Sequence, residues 1–527
     1  MLFPFFTYAE IHYRFRYFFS LLKKREPEII ADVPHRLTLP ASLPVLLLVK
    51  DAHLYPVTLQ KVEVFINAQK IFEETLHLLI REHFFERIFE IPLEDLSEGR
   101  KEIHVKIVYR VRNKVRTCWN DNYRQTGHAP LPCYFSHQDL PRPPGWFYGD
   151  MHSHSSYTED QIEFGAGLPT MKRMAQAVGL DFFAVTDHSY DLDDVPGNYL
   201  RNDPAFPKWQ AFKNEAQKLN AQNRPPVLIP GEEASVGNSR GQNVHLLILN
   251  HTGFVRGSGD SGEKWFRFKP EHTLSELPAL ISGQAMLVPA HPAERVPRVQ
   301  KLFINRGEWH PDDLQGPFAE YLQWVNGGGA KDITRGLRLW VRMLLSGQKV
   351  VPLAGNDAHG HFARTRQIVI PFLLLQERST HVFGKWKTGL YCSQTPRTPQ
   401  EILQAIRSGR VFVTNGPFVE LTAHLGDETF FAGQSVSQIE AFTVQALSSD
   451  EFGPLKAITV IFGDVAQKRE QIIWKQNFDR RQEFSFRKKI ALPLSGKNGY
   501  IRCQVKTSVN EEEFTAFSNV IRIRKDS

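Results

Sequence analysis

The chain has 527 residues, of which 42% are hydrophobic and 23% charged, the balance of an ordinary globular protein with more than one hydrophobic core. Its formal net charge of +7 is modest for this length and no dense basic run occurs, so we expect no nucleic-acid partner. The cysteines, Cys118, Cys133, Cys392 and Cys503, form no C-x-x-C pair, which indicates neither a zinc ribbon nor a disulfide scaffold and fits a cytoplasmic protein.

Residues 1–30 are predicted to form an N-terminal amphipathic segment. Charged residues interrupt its aromatic run, so we expect no signal peptide, and no later stretch reaches the roughly 18 uninterrupted apolar residues of a membrane span. Two interpretations of residues 1–25 stay open. The phenylalanines and the basic run at residues 23–25 would suit peripheral contact with a membrane, or the segment would pack on the protein itself or on a partner subunit.

The next segment, residues 31–145, is predicted to be a β-rich, sandwich-like domain. Runs such as KVEVFINAQKIF and EIHVKIVYRVRN alternate apolar and polar residues, as half-buried strands do. The proline-rich stretch LPRPPG at residues 140–145 marks its end. Residues 417–527 return to the same pattern in runs such as AITVIFG and GYIRCQVKT, which predicts a C-terminal β-rich domain.

Between these two, residues 146–416 combine short apolar strands with helix-like stretches. We count seven strand-like runs, from WFYGD (146–150) to VVPLAG (350–355), with helical patterns such as TMKRMAQAV and GLRLWVRMLL between them. This alternation predicts parallel βα units and an α/β fold. Polar residues cluster at the strand ends, which favours a closed barrel whose strand ends meet at one mouth. An open doubly wound sheet is the alternative.

Histidines and carboxylates follow these strands in a regular order. The first strand leads into Asp150-Met-His152-Ser-His154, and later strands lead into Asp187-His188, Glu232-Glu233, His291 and Asp357-Ala-His359, while His245 lies within the fourth strand. Imidazole and carboxylate are ligands that Zn, Mn and Fe accept, and the set is too large for one ion. A carboxylate such as Glu233 can bridge two ions, and a bound ion lowers the pKa of water from ~15.7 to about 7. A lone histidine at a strand end is usually a packing residue. Here that explanation would have to apply independently to every one of these histidines, so the set as a whole favours a metal site.

This ordered set resembles the polymerase-and-histidinol-phosphatase (PHP) superfamily of metal-dependent phosphoesterases. Its members show D-x-H-x-H, T-D-H, G-x-E, a lone His, a His-Pro pair and a final D-x-H, and all these motifs occur here in that order between residues 148 and 415. The resemblance implies a distorted (βα)7 barrel of the PHP type, flanked by the N-terminal and C-terminal β-sandwich-like modules.

The resemblance also implies a ligand set for two to three divalent ions of Mn, Zn or Fe. One ion would take His152, His154, Glu233 and Asp357, a second Glu233, His245 and His291, and a third Asp160, His188 and His359. Glu233, His291 and Asp357 are the predicted catalytic residues. Glu159 is an alternative to Asp160, Glu232 is an alternative to Glu233, and Asp187 is expected to orient an imidazole.

The function that follows is hydrolysis of an ester by a metal-bound hydroxide, with a phosphoester as the first choice. The segment SGRVFVTNGP (408–417) resembles the branch that contains carbaryl hydrolase, so a carboxylic or carbamic ester is the alternative, and a non-catalytic binding protein on the same scaffold is a third interpretation. We expect a small, anionic substrate, with contacts from arginines beyond the metal motifs: Arg240, Arg295, Arg364 and Arg366. The natural substrate and the oligomeric state stay open.

Overall fold

A computed structural model describes residues 26–93, 97–123, 128–158, 164–196, 198–257, 259, 269–281, 284–364, 367–370, 373–376, 381–478, 482–495 and 497–524. Residues 1–25, Asp160 and Arg366 lie outside these ranges, so the predictions made for them are not addressed by the structure. Within the described ranges, no helix has the length and apolar character needed to cross a membrane.

The N-terminal part consists of strands that form two sheets. Their bounds are β1 (Glu28–Asp32), β2 (Arg36–Thr38), β3 (Leu43–Lys50), β4 (Val57–Ile66), β5 (Gln69–Ile80), β6 (Phe84–Ile91), β7 (Gly99–Val111), β8 (Lys114–Trp119) and β9 (Leu131–Ser136). One sheet has the order β1-β3-β6 and the other β2-β9-β7-β4-β5, with β8 paired to β7. Apolar side chains of both sheets share one core, as a sandwich requires.

The central part contains most of the helices. Its elements are β10 (Trp146–Asp150), β11 (Ser153–His154), α1 (Leu168–Val178), β12 (Phe182–Val185), α2 (Ser189–Leu192), β13 (Asp194–Val195), β14 (Asn198–Asn202), α3 (Pro207–Asn220), β15 (Val227–Gly237), β16 (Asn243–Leu249), α4 (Leu277–Leu280), β17 (Met286–Pro289), α5 (Arg298–Phe303), a 3-10 helix (Gly316–Ala319), β18 (Tyr321–Asn326), α6 (Ala330–Leu345), β19 (Val351–Gly355), β20 (Ala358–His359), β21 (Gln367–Ile370), β22 (Leu373–Gln376), β23 (Lys387–Tyr391), α7 (Pro399–Ser408) and β24 (Val411–Thr414).

The described residues of the C-terminal part form strands joined by turns. The strands are β25 (Phe418–Leu425), β26 (Glu428–Phe431), β27 (Ser435–Val436), β28 (Ile439–Leu447), β29 (Leu455–Asp464), β30 (Arg469–Asn477), β31 (Ser485–Leu494), β32 (Gly499–Val509), β33 (Glu512–Ser518) and β34 (Ile521–Ile523). The sheet β26-β25-β28-β31 packs against the sheet that contains β29 and β32, through one apolar core. The second sheet continues into the central part, because β33 pairs with β24.

The prediction of a closed (βα)7 barrel is wrong. Seven of the central strands belong to one long mixed sheet with the order β17-β16-β15-β12-β10-β23-β24, whereas β18 and β19 pair with each other in a separate two-stranded sheet. Within the long sheet, β10, β12 and β15 are parallel, whereas β15, β16 and β17 are antiparallel and so are β10, β23 and β24. The chain as described is dominated by β-sheets, with comparatively few helices.

Connection length explains the error. The strand predicted as PVLIPG extends over 11 residues as β15, so only residues 238–242 separate it from β16. A parallel connection needs a crossover of about a dozen residues or more, whereas a short polar turn produces an antiparallel hairpin. The five residues NSRGQ are therefore too few for a crossover and form a hairpin turn, and the βα alternation breaks at this point.

Two buried side chains connect the N-terminal sandwich to the rest of the molecule. The guanidinium of Arg36 pairs with Glu451 at 3.0 Å and also donates a hydrogen bond to the carbonyl of Val178. The carboxylate of Asp32 accepts hydrogen bonds from the backbone amides of residues 362–364, directly after the D-x-H motif. The sandwich thus holds one of the loops that border the histidine cluster.

Candidate metal centre

The first motif is held at the end of β10 by a buried carboxylate. Asp150 accepts hydrogen bonds from the side-chain amide of Asn356 at 2.8 Å and from the backbone amide of Gly384 at 2.9 Å. Burial raises the pKa of Asp150 to about 6, against these hydrogen bonds. Asp150 therefore ties the first motif to the last one instead of facing the histidines.

The first and last motifs also pair through their backbones. Strands β11 and β20 are parallel, with His154 in register with His359, and the two imidazole rings stack with centroids 4.1 Å apart. The backbone amide of Asp357 donates a hydrogen bond to the carbonyl of His152 at 2.8 Å. Residues separated by about two hundred positions in the chain thus form one side of the site.

Glu233 lies at the centre of the histidine cluster. An isolated parallel bridge pairs its backbone with that of His188, and the residue is 1% exposed. Both carboxylate oxygens face imidazole nitrogens: Oε2 lies 3.2 Å from His152, 3.4 Å from His154 and 3.2 Å from His188, and Oε1 lies 2.6 Å from His245 and 3.1 Å from His291. One buried carboxylate is therefore surrounded by five imidazoles.

The ligands predicted for the first ion lie together. His152 Nε2 and His154 Nε2 are 3.1 Å apart, and Asp357 Oδ1 lies 3.2 Å from the former and 3.0 Å from the latter. Together with Glu233, these residues offer donor atoms that all lie within 4.8 Å of one another. This is the distance range in which a single ion can be bound by all of them.

The other predicted ligands adjoin this group, with a changed grouping. His245 and His291 meet at Glu233 Oε1, as predicted for the second ion, and His188 also lies near this carboxylate. For the third ion, His188 and His359 are joined by His154 in the structure. Asp160, predicted to be their partner, and its alternative Glu159 lie outside the described residues.

The group of His154, His188 and His359 fits a metal ion by a further observation. His154 Nδ1 and His359 Nε2 are buried, and neither has a hydrogen-bond partner among the described residues. A buried polar atom without a partner is costly, at about 1–3 kcal/mol. A coordinated cation would remove this cost, since a neutral imidazole offers its lone pair to a metal.

The electrostatics of the cluster favour an ionised Glu233, and they lower the pKa of one neighbouring imidazole while raising that of another. Burial opposes charge on Glu233, but His245 and His152 outweigh it and hold the pKa of this carboxyl well below its usual value. Burial lowers the pKa of His188 to about 4, with the charge of His154 as a further cause. For His154 itself, burial is outweighed by Asp357 and Glu233, which raise its pKa to about 10. A proton on His154 therefore supplies positive charge that a metal ion would otherwise supply.

Two of the candidate ligands have a left-handed backbone. The φ angle is +34° at His291 and +52° at Asp357. Residues other than glycine rarely have a positive φ angle, and backbone strain of this kind is concentrated at functional sites. The chain thus adopts an unfavourable conformation at the positions where these side chains turn into the cluster.

Two residues from β18 position the cluster, although neither is among the predicted site residues. Gln323 Oε1 lies 2.9 Å from His152 Nδ1, and its amide donates to Asn326 Oδ1 at 2.8 Å. Asn326 in turn donates to Asp357 Oδ2 at 3.2 Å and to Glu294 at 3.1 Å. The signal for these residues is a pair of amides in the otherwise apolar run YLQWVN, because a buried amide needs specific partners.

Two neighbouring carboxylates face away from the cluster. Glu232 accepts hydrogen bonds from Ser189 Oγ at 2.8 Å and from the amide of Val255 at 3.0 Å. Asp187 accepts hydrogen bonds from Ser155 and Thr158 and so holds the loop after His154. We had expected it to orient an imidazole instead. The geometry thus favours Glu233 over Glu232 as the central carboxylate.

A cavity of about 330 Å³ opens onto the cluster, a volume within the range of about 300–1,000 Å³ for small-molecule sites. Of the predicted ligands, those exposed to it are His188, Glu233, His245, His291, Asp357 and His359. His152 and His154 are fully buried behind them.

The arginines around the cavity differ from the predicted set. Arg295 lines it, but Arg240 and Arg364 do not appear in its lining, and Arg364 instead lies 3.5 Å from Asp32. The cavity is lined by two further arginines, Arg306 and Arg335. Arg306 is buried, and its guanidinium contacts both ring nitrogens of His245, with Nη2 3.0 Å from Nδ1. It lies in a loop without periodicity, so the sequence pattern contained no signal for it.

A glycine beside His152 yields a direct test of this packing. A Cβ added at Gly355 would lie 2.5 Å from His152 Cβ and 2.8 Å from its backbone nitrogen. We expect Gly355→Ala to displace His152 and weaken metal binding by about tenfold or more, as loss of ligand orientation does. Gly329→Ala is the matched control, because a Cβ there has nothing within 4 Å. Metal content after dialysis measures the difference, and equal retention by both variants would contradict the packing argument.

No protein-family model matches the chain, and no curated protein sequence matches it. Among solved structures, a beta-glucuronidase from Parabacteroides merdae is 8% identical with a TM-score of 0.19, over 95% of this chain and 64% of that chain. A putative beta-galactosidase from Bacteroides fragilis is 10% identical with a TM-score of 0.17, over 95% of this chain and 73% of that chain. This chain thus spans less than two thirds of the glucuronidase, and a similarity this low supports no conclusion about fold or activity.

Proposed function

We propose that this chain is a PHP-type metal-dependent hydrolase that cleaves a phosphate ester with a cluster of two or three divalent ions of Mn, Zn or Fe. The observation that carries the proposal is the single buried carboxylate of Glu233, which faces the imidazoles of His152, His154, His188, His245 and His291 within 3.4 Å. The resemblance to the superfamily concerns these motifs and does not extend to a closed barrel.

Protons alone satisfy this arrangement poorly. His152 Nε2 and His154 Nε2 face one another at 3.1 Å while both approach Asp357 Oδ1. A neutral imidazole donates only one hydrogen bond, and two imidazolium ions side by side repel each other. Divalent cations between the nitrogens and the carboxylates remove both problems, because each nitrogen then offers a lone pair.

The chain's own residues would divide the work as follows. Bound ions would supply the lowered pKa of water and the polarisation of the ester that hydrolysis at neutral pH needs. Glu233 would contribute one oxygen to each of two ions, because its oxygens face different histidines. His291 and Asp357 line the cavity and would meet the substrate at the ions. Gln323 would keep His152 in the tautomer with its proton on Nδ1 and a lone pair on Nε2.

A phosphoester is favoured over other esters by the cavity wall. Its arginines are Arg295, Arg306 and Arg335, and Asp332 pairs with Arg335 while Glu308 pairs with Lys301. A buried guanidinium beside two metal positions is repelled by the ions unless anionic oxygens lie between them. A phosphate group would supply such oxygens, and Trp309 and Val244 in the same wall would contact the organic part of the ester.

The test is an assay of the full chain after removal and return of metal. We expect chelated protein to hydrolyse neither phosphate nor carboxylate esters, and addition of Mn or Zn to restore hydrolysis of a generic phosphate ester. Restoration with carboxylate esters alone would replace the proposed substrate class. Failure to hydrolyse any ester at about two bound ions per chain would overturn the proposal in favour of a binding protein.

Metal uptake by the stripped protein should depend steeply on pH. Burial is outweighed by Asp357 and Glu233 in raising the pKa of His154 to about 10, and burial is likewise outweighed by Glu233 and Asp357 in raising that of His152. The imidazole of His154 is then protonated near neutrality, and metal binding must displace its proton. We expect affinity to rise with pH, by about tenfold per pH unit for each displaced proton. Titration calorimetry in buffers of different ionisation enthalpy measures the release, and an affinity independent of pH between about 6 and 8 would contradict it.

A further inference from the structure

The N-terminal sandwich contains a second group of potential metal ligands, at the end where the chain crosses between its sheets. The last register pair of β3 and β6 is Lys50 with Phe84, and β4 and β5 begin their ladder at Val57 and Ile80. The connections β3–β4 and β5–β6 therefore leave one sheet and enter the other side by side. Asp51 and His53 lie on the first connection, and His83 lies on the second.

The three side chains converge in front of these connections. His83 Nε2 lies 3.4 Å from Asp51 Oδ1, and the rings of His53 and His83 meet edge to face with centroids 4.7 Å apart. One donor atom from each residue lies within 4.8 Å of the other two. Backbone hydrogen bonds hold the connections together, from the amide of Asp51 to the carbonyl of His83 at 2.8 Å and from that of His53 to Glu82 at 3.1 Å.

We propose that Asp51, His53 and His83 form a separate binding site for a divalent transition-metal ion of the zinc type. Ligand bonds of about 2.0–2.2 Å place neighbouring donors of a tetrahedral site about 3.3–3.6 Å apart, and the distance between His83 and Asp51 already falls in this interval. Two imidazoles exclude Mg²⁺ and Ca²⁺, which prefer oxygen ligands. Both histidines are exposed, so solvent would complete the coordination sphere.

The position of the site defines what the ion would do. A bound ion would join the two connections beside the ends of β3 and β6, where two backbone hydrogen bonds link the described residues 51–53 and 82–83. Binding to the folded state alone stabilises it by mass action. The ion would therefore act as a structural clip, separate from the buried cluster around Glu233.

The experiment measures zinc binding to the full chain by equilibrium dialysis, in a Glu233→Gln background that weakens the buried cluster. We expect this protein to retain about one zinc equivalent, which His53→Ala or His83→Ala then removes. We also expect zinc to raise the melting temperature of the Glu233→Gln protein. The melting temperature of the double variant that also carries His83→Ala should not change with zinc. His77→Ala is the matched control, an exposed histidine on β5 that belongs to no ligand group among the described residues.

The clip is supported if His53→Ala and His83→Ala both lose the bound zinc and the zinc-induced rise in melting temperature, while His77→Ala keeps both. Equal zinc binding in all of these proteins overturns it and leaves His83 and Asp51 as an ordinary surface hydrogen-bonded pair. Circular dichroism without zinc checks that the variants are folded, and a Glu233→Gln protein that binds no zinc overturns the clip without bearing on the buried cluster.

Discussion

Glu233→Gln is expected to lower the rate of ester hydrolysis by about 10³-fold or more. The same substitution should lower the amount of bound metal. The carboxylate faces five imidazoles through both oxygens, so its loss disturbs every ion that these histidines bind. The amide keeps the size of the side chain but removes the charge that offsets neighbouring cations. Activity and metal content are measured on the same preparations by steady-state assay and elemental analysis.

Glu232→Gln is the matched control for this substitution. Glu232 is the preceding residue of the same strand and is equally buried, but it accepts hydrogen bonds from Ser189 and Val255 on the other face. Burial raises the pKa of Glu232, against hydrogen bonds from His251, Ser189 and Val255, so loss of its charge disturbs the protein less than at Glu233, whose pKa is lowered. We expect less than about a tenfold effect on activity. Equal losses in both variants would show that Glu233 has no special role.

Arg306→Ala is expected to lower kcat/KM for a phosphate ester by about 100-fold, which corresponds to about 2.7 kcal/mol of lost transition-state stabilisation. The guanidinium is buried beside His245 in the cavity wall, where low solvent access strengthens its attraction to a phosphate. Activity towards a neutral carboxylate ester should fall far less, because that substrate offers no charge to the arginine. Steady-state kinetics on the two ester classes measure the ratio.

Arg240→Ala is the control for the arginine, since Arg240 is exposed and does not line the cavity. We expect kcat/KM to change by less than about threefold. Bound metal is measured in both variants, because Arg306 contacts a candidate ligand. A parallel fall of both ester activities, or a fall of metal content equal to that of Glu233→Gln, would show that Arg306 supports the cluster and does not select an anionic substrate.

Much of the candidate site was predictable because its residues occur in short motifs. In extended backbone, an H-x-H spacing places His152 and His154 on one face, and the structure brings their Nε2 atoms within 3.1 Å. The partners Gln323 and Asn326 were visible as amides in a buried strand, although their contacts were not. Arg306 was not predictable, since it reaches His245 across 61 positions from a loop.

The strand directions were the part of the fold that the sequence analysis misjudged. Seven apolar runs with helical patterns between them suggested parallel units, but the turn at residues 238–242 makes β15 and β16 antiparallel. The long sheet then continues through β23 and β24 into β33. Alternation of apolar residues reports which face of a strand is buried and contains no information on the neighbour or its direction.

By itself, the sequence determined the β-rich character of both flanks and the order and types of the candidate ligands, because these depend on spacing along the chain. Only the tertiary structure decided that five imidazoles meet at Glu233 and not at Glu232, that His154 joins His188 and His359, and that Arg306 enters the cavity. Such meetings depend on strand pairing between distant segments. Strand pairing is set by backbone hydrogen bonds and by the packing of the whole core, and neither has a local signature in the chain.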